Sequence, residues 1–319
     1  MMHRRAVLLA LAAGAAGARG AFAQAQAPRV GLVSGGTLSL DAFMLGLRDH
    51  GYVPGQTIAV EHRPTEGHAD RYRPAIESLL ATRPSVIVVT STHGILAARS
   101  LTRTVPIVAV DLESDPVATG VAASLARPGG NVTGFFLDVP EMSGKLVQLI
   151  KEAVPGLART GVLWDAAIAR PQFEATERAA RAAGLTIHSA PVRAASDLDA
   201  AVDGAVRDGA RALIVLSAPL MRVNQARIDD LAFRHRLPSV TVFSLVADGK
   251  GFMSYGPNLD EMFRRSASYV DRILKGARVG DLPVERPSRF DLAINTRTAK
   301  ALGVTLPPSL LQRADRVIP

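Results

Sequence analysis

Residues that could bind a small polar molecule recur directly after short apolar runs of this 319-residue sequence. In open α/β sheets, ligands bind beyond the carboxyl ends of the strands, so positions that follow predicted strands are the first candidates. Hydroxyl, carboxyl and aromatic groups predominate at these positions. The candidate ligand-binding residues are Ser34, Gly35, Thr90, Ser91, Thr92, His93, Asp111, Glu113, Trp164, Asp165, Ser217, Phe243 and Tyr255.

These residue types predict a site for a small zwitterion or polar organic acid. Hydroxyls and backbone amides near helix N-termini can hold a carboxylate of the ligand. Those groups belong to Ser34, Ser91 and Thr92. The carboxyl group of Asp111, Glu113 or Asp165 can accept hydrogen bonds from an ammonium group. The aromatic residues that could stack on a planar or apolar part of the ligand are Trp164, Phe243 and Tyr255.

Several of these candidates also have a purely structural interpretation. Ser34 and Ser91 would serve equally well as helix caps. His93 could cap the next helix in place of contacting a ligand, and Trp164 could pack in the core. Asp115 stands before Pro116, which favours a turn or a cap over a binding role.

Motifs for metals, cofactors and nucleophiles are absent from the sequence. It contains no Walker P-loop, no strand-linked GxGxxG, no H-E-x-x-H, no G-x-S-x-G and no cysteine. His62 and His68 lie in "EHRPTEGH", which is typical of an exposed loop and lacks the spacing of metal ligands. We therefore expect no cofactor and no metal, and an enzymatic function is disfavoured.

The candidate residues must be positioned by alternating strands and helices. Apolar strands and amphipathic helices alternate after Pro28, and the same order restarts near Thr160. This alternation predicts an α/β protein with two doubly wound parallel-sheet lobes joined by three crossovers. Lobe 1 is predicted to contain 28–130 plus 256–280, and lobe 2 to contain 137–250 plus 281–319.

The stretch "SLARPGGNVTGFF" separates the two predicted lobes. A helix-like run ends at Leu125, Pro128 cannot continue it, and an extended run follows the two glycines. The stretch lacks the Lys of a phosphate loop, and no second strand follows at hairpin distance. We therefore predict that 131–136 and 251–255 are interlobe crossovers, with Arg289 to Asn295 as a third. The predicted hinge residues are Gly129, Gly130, Asn131 and Ser254.

Residues 1–23 have the features of a cleavable signal peptide. Basic residues precede an apolar run, and Ala21-Phe22-Ala23 forms an A-x-A cleavage signal. An uncleaved membrane anchor is disfavoured because the run is shorter than the ~20 apolar residues that span a bilayer. Since no cysteine can carry a lipid, we expect a periplasmic product, by either the general or the twin-arginine export route.

The charge distribution disfavours a nucleic-acid partner. The formal net charge of +8 decreases to +5 without the three arginines of the leader. The remaining arginines are dispersed among acidic residues, as in "ERAARAAG" and "RVNQARIDD".

Several longer segments resemble a known family. They are "LRDHGYVPGQTIAVEHR", "SDPVATGVAASLARPGGNVTG", "LIKEAVPG", "VLWDA" and the run from "GFMSYGPNLDEMFRRSASYVDRILKG" to "LGVTLPPSLLQRADRVI". They resemble the extracytoplasmic substrate-binding proteins of ABC transporters related to the tryptophan and tyrosine uptake system. The resemblance covers nearly the whole chain after the leader.

The resemblance implies a fold similar to the type I periplasmic binding proteins, with the ligand in the cleft between two lobes. It implies a monomer that captures a small organic solute, such as an amino acid or an aromatic carboxylate, and closes by hinge motion. The expected partner is an ABC permease. The alternatives are a periplasmic ligand sensor and a cleft enzyme of the racemase or hydrolase type.

Overall fold

The protein, as a computed structural model, consists of two α/β lobes, and the structure describes residues 27–36, 39–137, 139–242, 249–287 and 289–319. The strands are β1 Arg29–Ser34, β2 Ala59–Pro64, β3 Val86–Val89, β4 Ile107–Leu112, β5 Val132–Phe136, β6 Arg159–Asp165, β7 Thr186–Val192, β8 Leu213–Val215, β9 Ser239–Thr241, β10 Met253–Pro257, β11 Val284–Glu285, β12 Phe290–Asn295 and β13 Arg316–Ile318. The helices are α1 Leu40–Asp49, α2 Tyr72–Ala81, α3 Thr92–Leu101, α4 Val139–Ala153, α5 Arg170–Ala182, α6 Leu198–Arg207, α7 Pro219–Val223, α8 Gln225–Arg234, α9 Leu259–Leu274, α10 Thr296–Leu302 and α11 Pro308–Gln312.

Lobe 1 contains a parallel sheet of strand order β11-β5-β4-β3-β1-β2. Side chains alternate between the two faces of a strand, and both faces of this sheet are buried. Val30 and Leu32 of β1 join the core that includes Phe43 of α1, whereas Val33 joins the core that includes Ile76 of α2. Helices therefore cover both faces, which explains why the strands are apolar throughout.

Lobe 2 contains a sheet of strand order β13-β12-β10-β9-β8-β6-β7. Its described strand pairs are parallel except β10 and β12, which are antiparallel. Val162 packs in the core shared with α4, and Leu163 packs on the opposite face with Val202 of α6 and Ile228 of α8. The doubly wound parallel arrangement that the sequence predicted is present in both lobes.

The chain passes between the lobes at three places, and these differ from the predicted crossovers. It crosses between β5 and α4, between β10 and α9, and between β11 and β12. The segment 131–136 is instead a strand of the lobe 1 sheet, and 251–255 enters a strand of the lobe 2 sheet. Because β11 pairs with β5, residues 281–285 belong to lobe 1 and not to lobe 2.

The lobe boundaries are corrected accordingly. Lobe 1 contains 28–136 and 259–285, and lobe 2 contains 139–257 and 290–319. The predicted helix-like run that ends at Leu125 is not a helix, since 113–131 contains only turns and irregular backbone. The single helix predicted from Arg222 to His235 is divided at Asn224 into α7 and α8.

No helix in the described part of the chain is both long and apolar enough to cross a membrane. The predicted signal peptide, 1–23, lies outside the described residues.

Candidate ligand-binding cleft

The carboxyl ends of the two sheets face each other, and α7 of lobe 2 closes against lobe 1. A Cβ atom at Gly35 would lie 3.1 Å from Cβ of Pro219 and 3.4 Å from a guanidinium nitrogen of Arg222. A Cβ atom at Gly67 would lie 3.0 Å from Cα of Leu220. The two glycines therefore permit close contact between the backbones of the lobes.

An ion pair joins the lobes inside this contact. The Arg222 guanidinium of α7 lies 3.5 Å from the carboxylate of Asp111, the fifth residue of β4. The exposed fractions of the two side chains are 8% and 3%. Charged side chains are seldom buried to this degree without a partner, so each of these groups requires an opposite charge in the closed cleft.

Two carboxyl groups of lobe 1 bind the start of α3. The amide of Ser91 donates to the Asp111 carboxylate, and the amide of Thr92 donates to Oε2 of Glu113 at 2.9 Å. The Thr92 hydroxyl oxygen accepts from the amide of Glu113, also at 2.9 Å. The positive end of a helix favours anions at these amides. We call Asp111, Glu113 and Arg222 the interlobe cluster.

This arrangement corrects one sequence-based expectation. The amides of Ser91 and Thr92 were expected to hold a carboxylate of the ligand, but carboxyl groups of the protein already occupy them. Ser91 also acts as the helix cap, because its hydroxyl oxygen accepts from the amide of Gly94. Its φ of 61° and ψ of 150° cost ~1–3 kcal/mol for a residue with a side chain.

Burial changes the protonation of the cluster. It raises the pKa of Asp111, and the Arg222 charge and the Ser91 amide oppose that rise. Burial, followed by repulsion from Asp111, raises the pKa of Glu113 to about 8. At neutral pH the Glu113 carboxyl group is therefore mostly protonated, because burial and the charge of Asp111 both disfavour its ionised form more than the Thr92 amide and the Arg222 charge favour it.

The remaining lobe 1 candidates lie around the same strand ends, each with a partner within the lobe. The Ser34 hydroxyl is 2.8 Å from Nε2 of His62, and the Thr90 hydroxyl is 3.1 Å from the hydroxyl of Tyr72. His62 lies on β2 and is half-buried, unlike the exposed loop histidine that was predicted. Burial lowers the pKa of His62.

The lobe 2 candidates Asp165 and Ser217 lie at the ends of β6 and β8. The Gln172 side chain accepts from the Ser217 amide and donates to the Ser217 carbonyl, both at 3.1 Å. Burial raises the pKa of Asp165, and the Ala167 amide and the charge of His93 oppose that rise. A charge on His93 of lobe 1 therefore acts on the Asp165 carboxyl group of lobe 2.

Trp164 does not stand in the cleft. Its ring stacks on Phe173 of α5 at a centroid distance of 4.7 Å, and its Nε1 donates to the Ser189 hydroxyl at 3.0 Å. Because successive side chains of a strand point to opposite faces, Trp164 packs under α5 whereas the Asp165 side chain lies on the other face of β6. The prediction that Trp164 stacks on a ligand is therefore corrected to core packing.

Tyr255 lies away from the interlobe cluster, at a separate cavity beside the crossovers. Its ring stacks on Phe290 at a centroid distance of 5.9 Å. Phe243, the third aromatic candidate, is outside the described residues.

The predicted hinge residues lie inside the lobes. The Gly129 amide donates to the carbonyl of Gly280 at 3.0 Å, at the end of β5 that is opposite to the crossover. Asn131 donates to the carbonyls of Thr102 and Val105, which anchors the start of β5 to lobe 1. Gly130 adjoins both anchors, and Ser254 is a buried residue of β10 in the lobe 2 sheet. Hinge motion at these positions would break the sheet pairing and the hydrogen bonds described here, so the structure argues against these four residues as the hinge.

Arg222 is a candidate binding residue that sequence reasoning missed. It occurs in "RVNQARIDD", where it was counted among the dispersed arginines. The sequence signal for it was Pro219, because Pro favours the first position of a helix and here follows β8 closely. A helix that begins at Pro219 places Arg222 one turn further along, still at the cleft. Gln225 lies behind it, donates to Asp229 at 2.8 Å and accepts from Thr241 at 3.3 Å.

Two α/β lobes with a polar cleft at the facing strand ends, joined by three crossovers, define a two-lobed solute-binding protein of the type I periplasmic kind. The family described as ABC transporter substrate binding protein matches residues 34–318. The chain belongs to this family, as the sequence resemblance indicated. It is a family of solute-binding proteins and not of enzymes.

Individual relatives agree with this assignment. The chain is 22% identical to a tyrosine-binding protein of Clostridioides difficile over 82% of this chain and 75% of that protein. A crystal structure from Streptococcus pneumoniae in complex with L-Trp superposes with a TM-score of 0.81 at 22% identity, covering 91% of this chain and 99% of that chain. The ligand-free, open structure of a Clostridium difficile substrate-binding protein superposes with a TM-score of 0.62 at 21% identity. This match covers 91% of this chain and 99% of that chain.

Proposed function

We propose that this protein is a periplasmic solute-binding protein of an ABC importer and that it binds an α-amino acid between its lobes. The buried pair of Asp111 and Arg222 carries the proposal, because it places one negative and one positive group on opposite walls of the cleft. A zwitterion has the complementary charges.

The ligand replaces the protein's own ion pair. Its ammonium group donates to Asp111 and Glu113, and its carboxylate accepts from the guanidinium of Arg222, which presents a fork of donors. Each buried charge then keeps an opposite charge after the exchange, so binding does not leave a bare ion in the closed cleft. The relatives that bind tyrosine and L-Trp support an aromatic amino acid as the ligand.

Transport requires that the permease recognise the loaded protein. The ligand bridges both lobes and thereby stabilises the closed form, which the permease distinguishes from the open form. The protein acts as a monomer after removal of 1–23 at the periplasmic side. Family membership supports these steps, since ABC substrate-binding proteins usually work outside the cytoplasm.

A titration of the Arg222→Met variant tests the proposal. Isothermal titration with L-tyrosine, L-tryptophan and L-phenylalanine is compared with titration of tyramine, which lacks the carboxylate. Loss of a buried charged partner costs about 2–5 kcal/mol, so the variant should bind the amino acids at least about thirtyfold more weakly. Tyramine binding should change much less.

Arg227→Met is the matched control, because Arg227 of α8 forms a surface ion pair with Asp199 of α6. It should bind the amino acids like the unchanged protein. The proposed recognition of an α-amino acid is wrong if no amino acid binds the unchanged protein. It is also wrong if the Arg222→Met and Arg227→Met variants bind the amino acids with equal affinity.

A further inference from the structure

A second cavity lies beside the crossovers and contains no residue of the interlobe cluster. Its volume is about 410 Å³, within the range of small-molecule sites in proteins. Leu137 contributes from the first crossover, and Arg286 and Pro287 contribute from the third. The other walls come from α4, β10 and β12. We call it the crossover cavity.

One wall of the crossover cavity is aromatic. The rings of Tyr255 and Phe290 are stacked with an angle of 18° between their planes, and Met142 of α4 adds a flexible apolar surface. Both rings are only partly buried, so their outer surfaces remain available. The outer face of a stacked aromatic pair favours a planar ring as the occupant.

Cationic groups provide the charged part of the cavity. Nζ of Lys145 lies 6.0 Å from the ring centroid of Tyr255, and the Arg286 guanidinium lies 5.3 Å from the ring centroid of Phe136. Among the lining residues that the structure describes, none is Asp or Glu. Burial, followed by the charge of Asp315, raises the pKa of Tyr255, so its hydroxyl stays protonated and can donate.

The crossover cavity and the interlobe cluster lie on different sides of the sheets. Leu137 and Met142 belong to the core beneath α4 and α9, and Tyr255 and Phe290 pack against the same core. Asp111 and Arg222 instead adjoin residues of the other two cores, Tyr72 and Met221. A molecule in the crossover cavity therefore contacts a different surface from a molecule held by the interlobe cluster.

We propose that the crossover cavity is a second ligand site, specific for a small aromatic carboxylate that has no ammonium group. The ring stacks on the outer face of the Tyr255–Phe290 pair, and the carboxylate accepts from Lys145 and from the Tyr255 hydroxyl. Charge-assisted hydrogen bonds of this type are the stronger ones in proteins. The proposal goes beyond the amino-acid site and does not depend on it.

Benzoate is the probe, and isothermal titration of the purified protein measures its dissociation constant. Benzoate should bind, whereas benzylamine, which has the same ring and the opposite charge, should not. Loss of one charged hydrogen-bond partner corresponds to about a tenfold change, so Lys145→Met should weaken benzoate binding about tenfold or more. Phe290→Leu should also weaken it, because the stacking surface is lost.

Two controls locate the bound benzoate. Lys151→Met removes a lysine from the same helix outside the cavity and should leave the benzoate affinity unchanged. Arg222→Met removes a charge from the interlobe cluster and should also leave it unchanged. The proposal is overturned if benzoate fails to bind at millimolar concentration, if benzylamine binds as well as benzoate, or if Arg222→Met weakens benzoate binding while Lys145→Met does not.

Discussion

Asp111 and Glu113 are two carboxyl groups at the end of β4 whose charge states differ. Both carboxyl groups bind amides at the start of α3, and the Asp111 carboxylate also forms an ion pair with Arg222. Burial, followed by repulsion from the Asp111 charge, raises the pKa of Glu113 to about 8. Proton binding at this residue is therefore linked to folding and to the charge of the ligand.

The free energy of unfolding should depend on pH through Glu113. Its pKa is about 8 in the folded protein and has an ordinary value of 4.5, so the folded state binds the additional proton between these values. The stabilisation from this residue is present below about pH 4.5 and is lost as the pH rises through 8. Urea unfolding from pH 5 to 9 should thus show a smaller decrease in stability for Glu113→Gln than for the unchanged protein.

Glu174→Gln is the control for this experiment, because Glu174 forms an exposed i,i+4 pair with Arg170 on α5. It should retain the pH dependence of the unchanged protein. A Glu113→Gln variant with the same decrease between pH 5 and 9 would show that Glu113 titrates near its ordinary value.

At the scale of secondary structure, α7 forms the contact between the lobes. The start of β5 is held to the rest of lobe 1 by hydrogen bonds. The five residues of α7 carry Arg222 into the cleft. Gly129 and Asn131 anchor the start of β5 to lobe 1, and the first crossover follows at the other end of this strand. Stability and closure should therefore respond to different parts of β5.

Substitutions of the two adjacent glycines before β5 should separate these effects. Gly129 has a φ of +75°, whereas Gly130 has no positive φ and no neighbouring atom within 4 Å of an added Cβ. Gly129→Ala should lower the free energy of unfolding by about 1 kcal/mol or more, and Gly130→Ala should change it little. Urea unfolding measures both.

Closure is the second readout for the same pair of variants. Small-angle scattering with and without a bound amino acid should show the same change in radius of gyration for both variants as for the unchanged protein. Loss of closure in Gly129→Ala alone, without loss of stability, would restore the hinge assignment that the sequence favoured.

At the scale of the whole molecule, Gly35 of lobe 1 lies against Pro219 of lobe 2. The distance from a Cβ atom at Gly35 to Cβ of Pro219 is 3.1 Å, and the chain has no cysteine of its own. Cβ atoms of a disulfide are separated by about 3.5–4.5 Å, so a small displacement of the lobes would accommodate a bridge.

A Gly35→Cys and Pro219→Cys double variant should form an intramolecular disulfide on mild oxidation. The bridge should hold the lobes closed, so both the binding and the release of the amino acid should become slower in stopped-flow measurements. Addition of a reductant should restore the original rates and serves as the internal control. Unchanged rates in the fully oxidised protein, verified by thiol titration, would mean that the ligand does not enter through the contact between Gly35 and Pro219.

Much of the architecture was predictable because it depends on local pattern. The apolar runs at Arg29–Ser34 and Arg159–Asp165, with the helices between them, indicate two doubly wound lobes, and the structure contains both. The helix α4 was not predicted, although it has 15 residues. Its sequence directly follows the supposed crossover, so the interpretation of 131–136 as a linker hid the helix start.

The sequence by itself determined which residues stand at the strand ends, since strand and helix periodicity is a local property of the chain. Only the tertiary structure decided what those residues do. Trp164 and Asp165 are neighbours in sequence, but the alternation of a strand sends the first into the core and the second to the cleft edge. Arg222 meets Asp111 across 111 positions, and a contact of that separation depends on how the two lobes close and not on any local pattern.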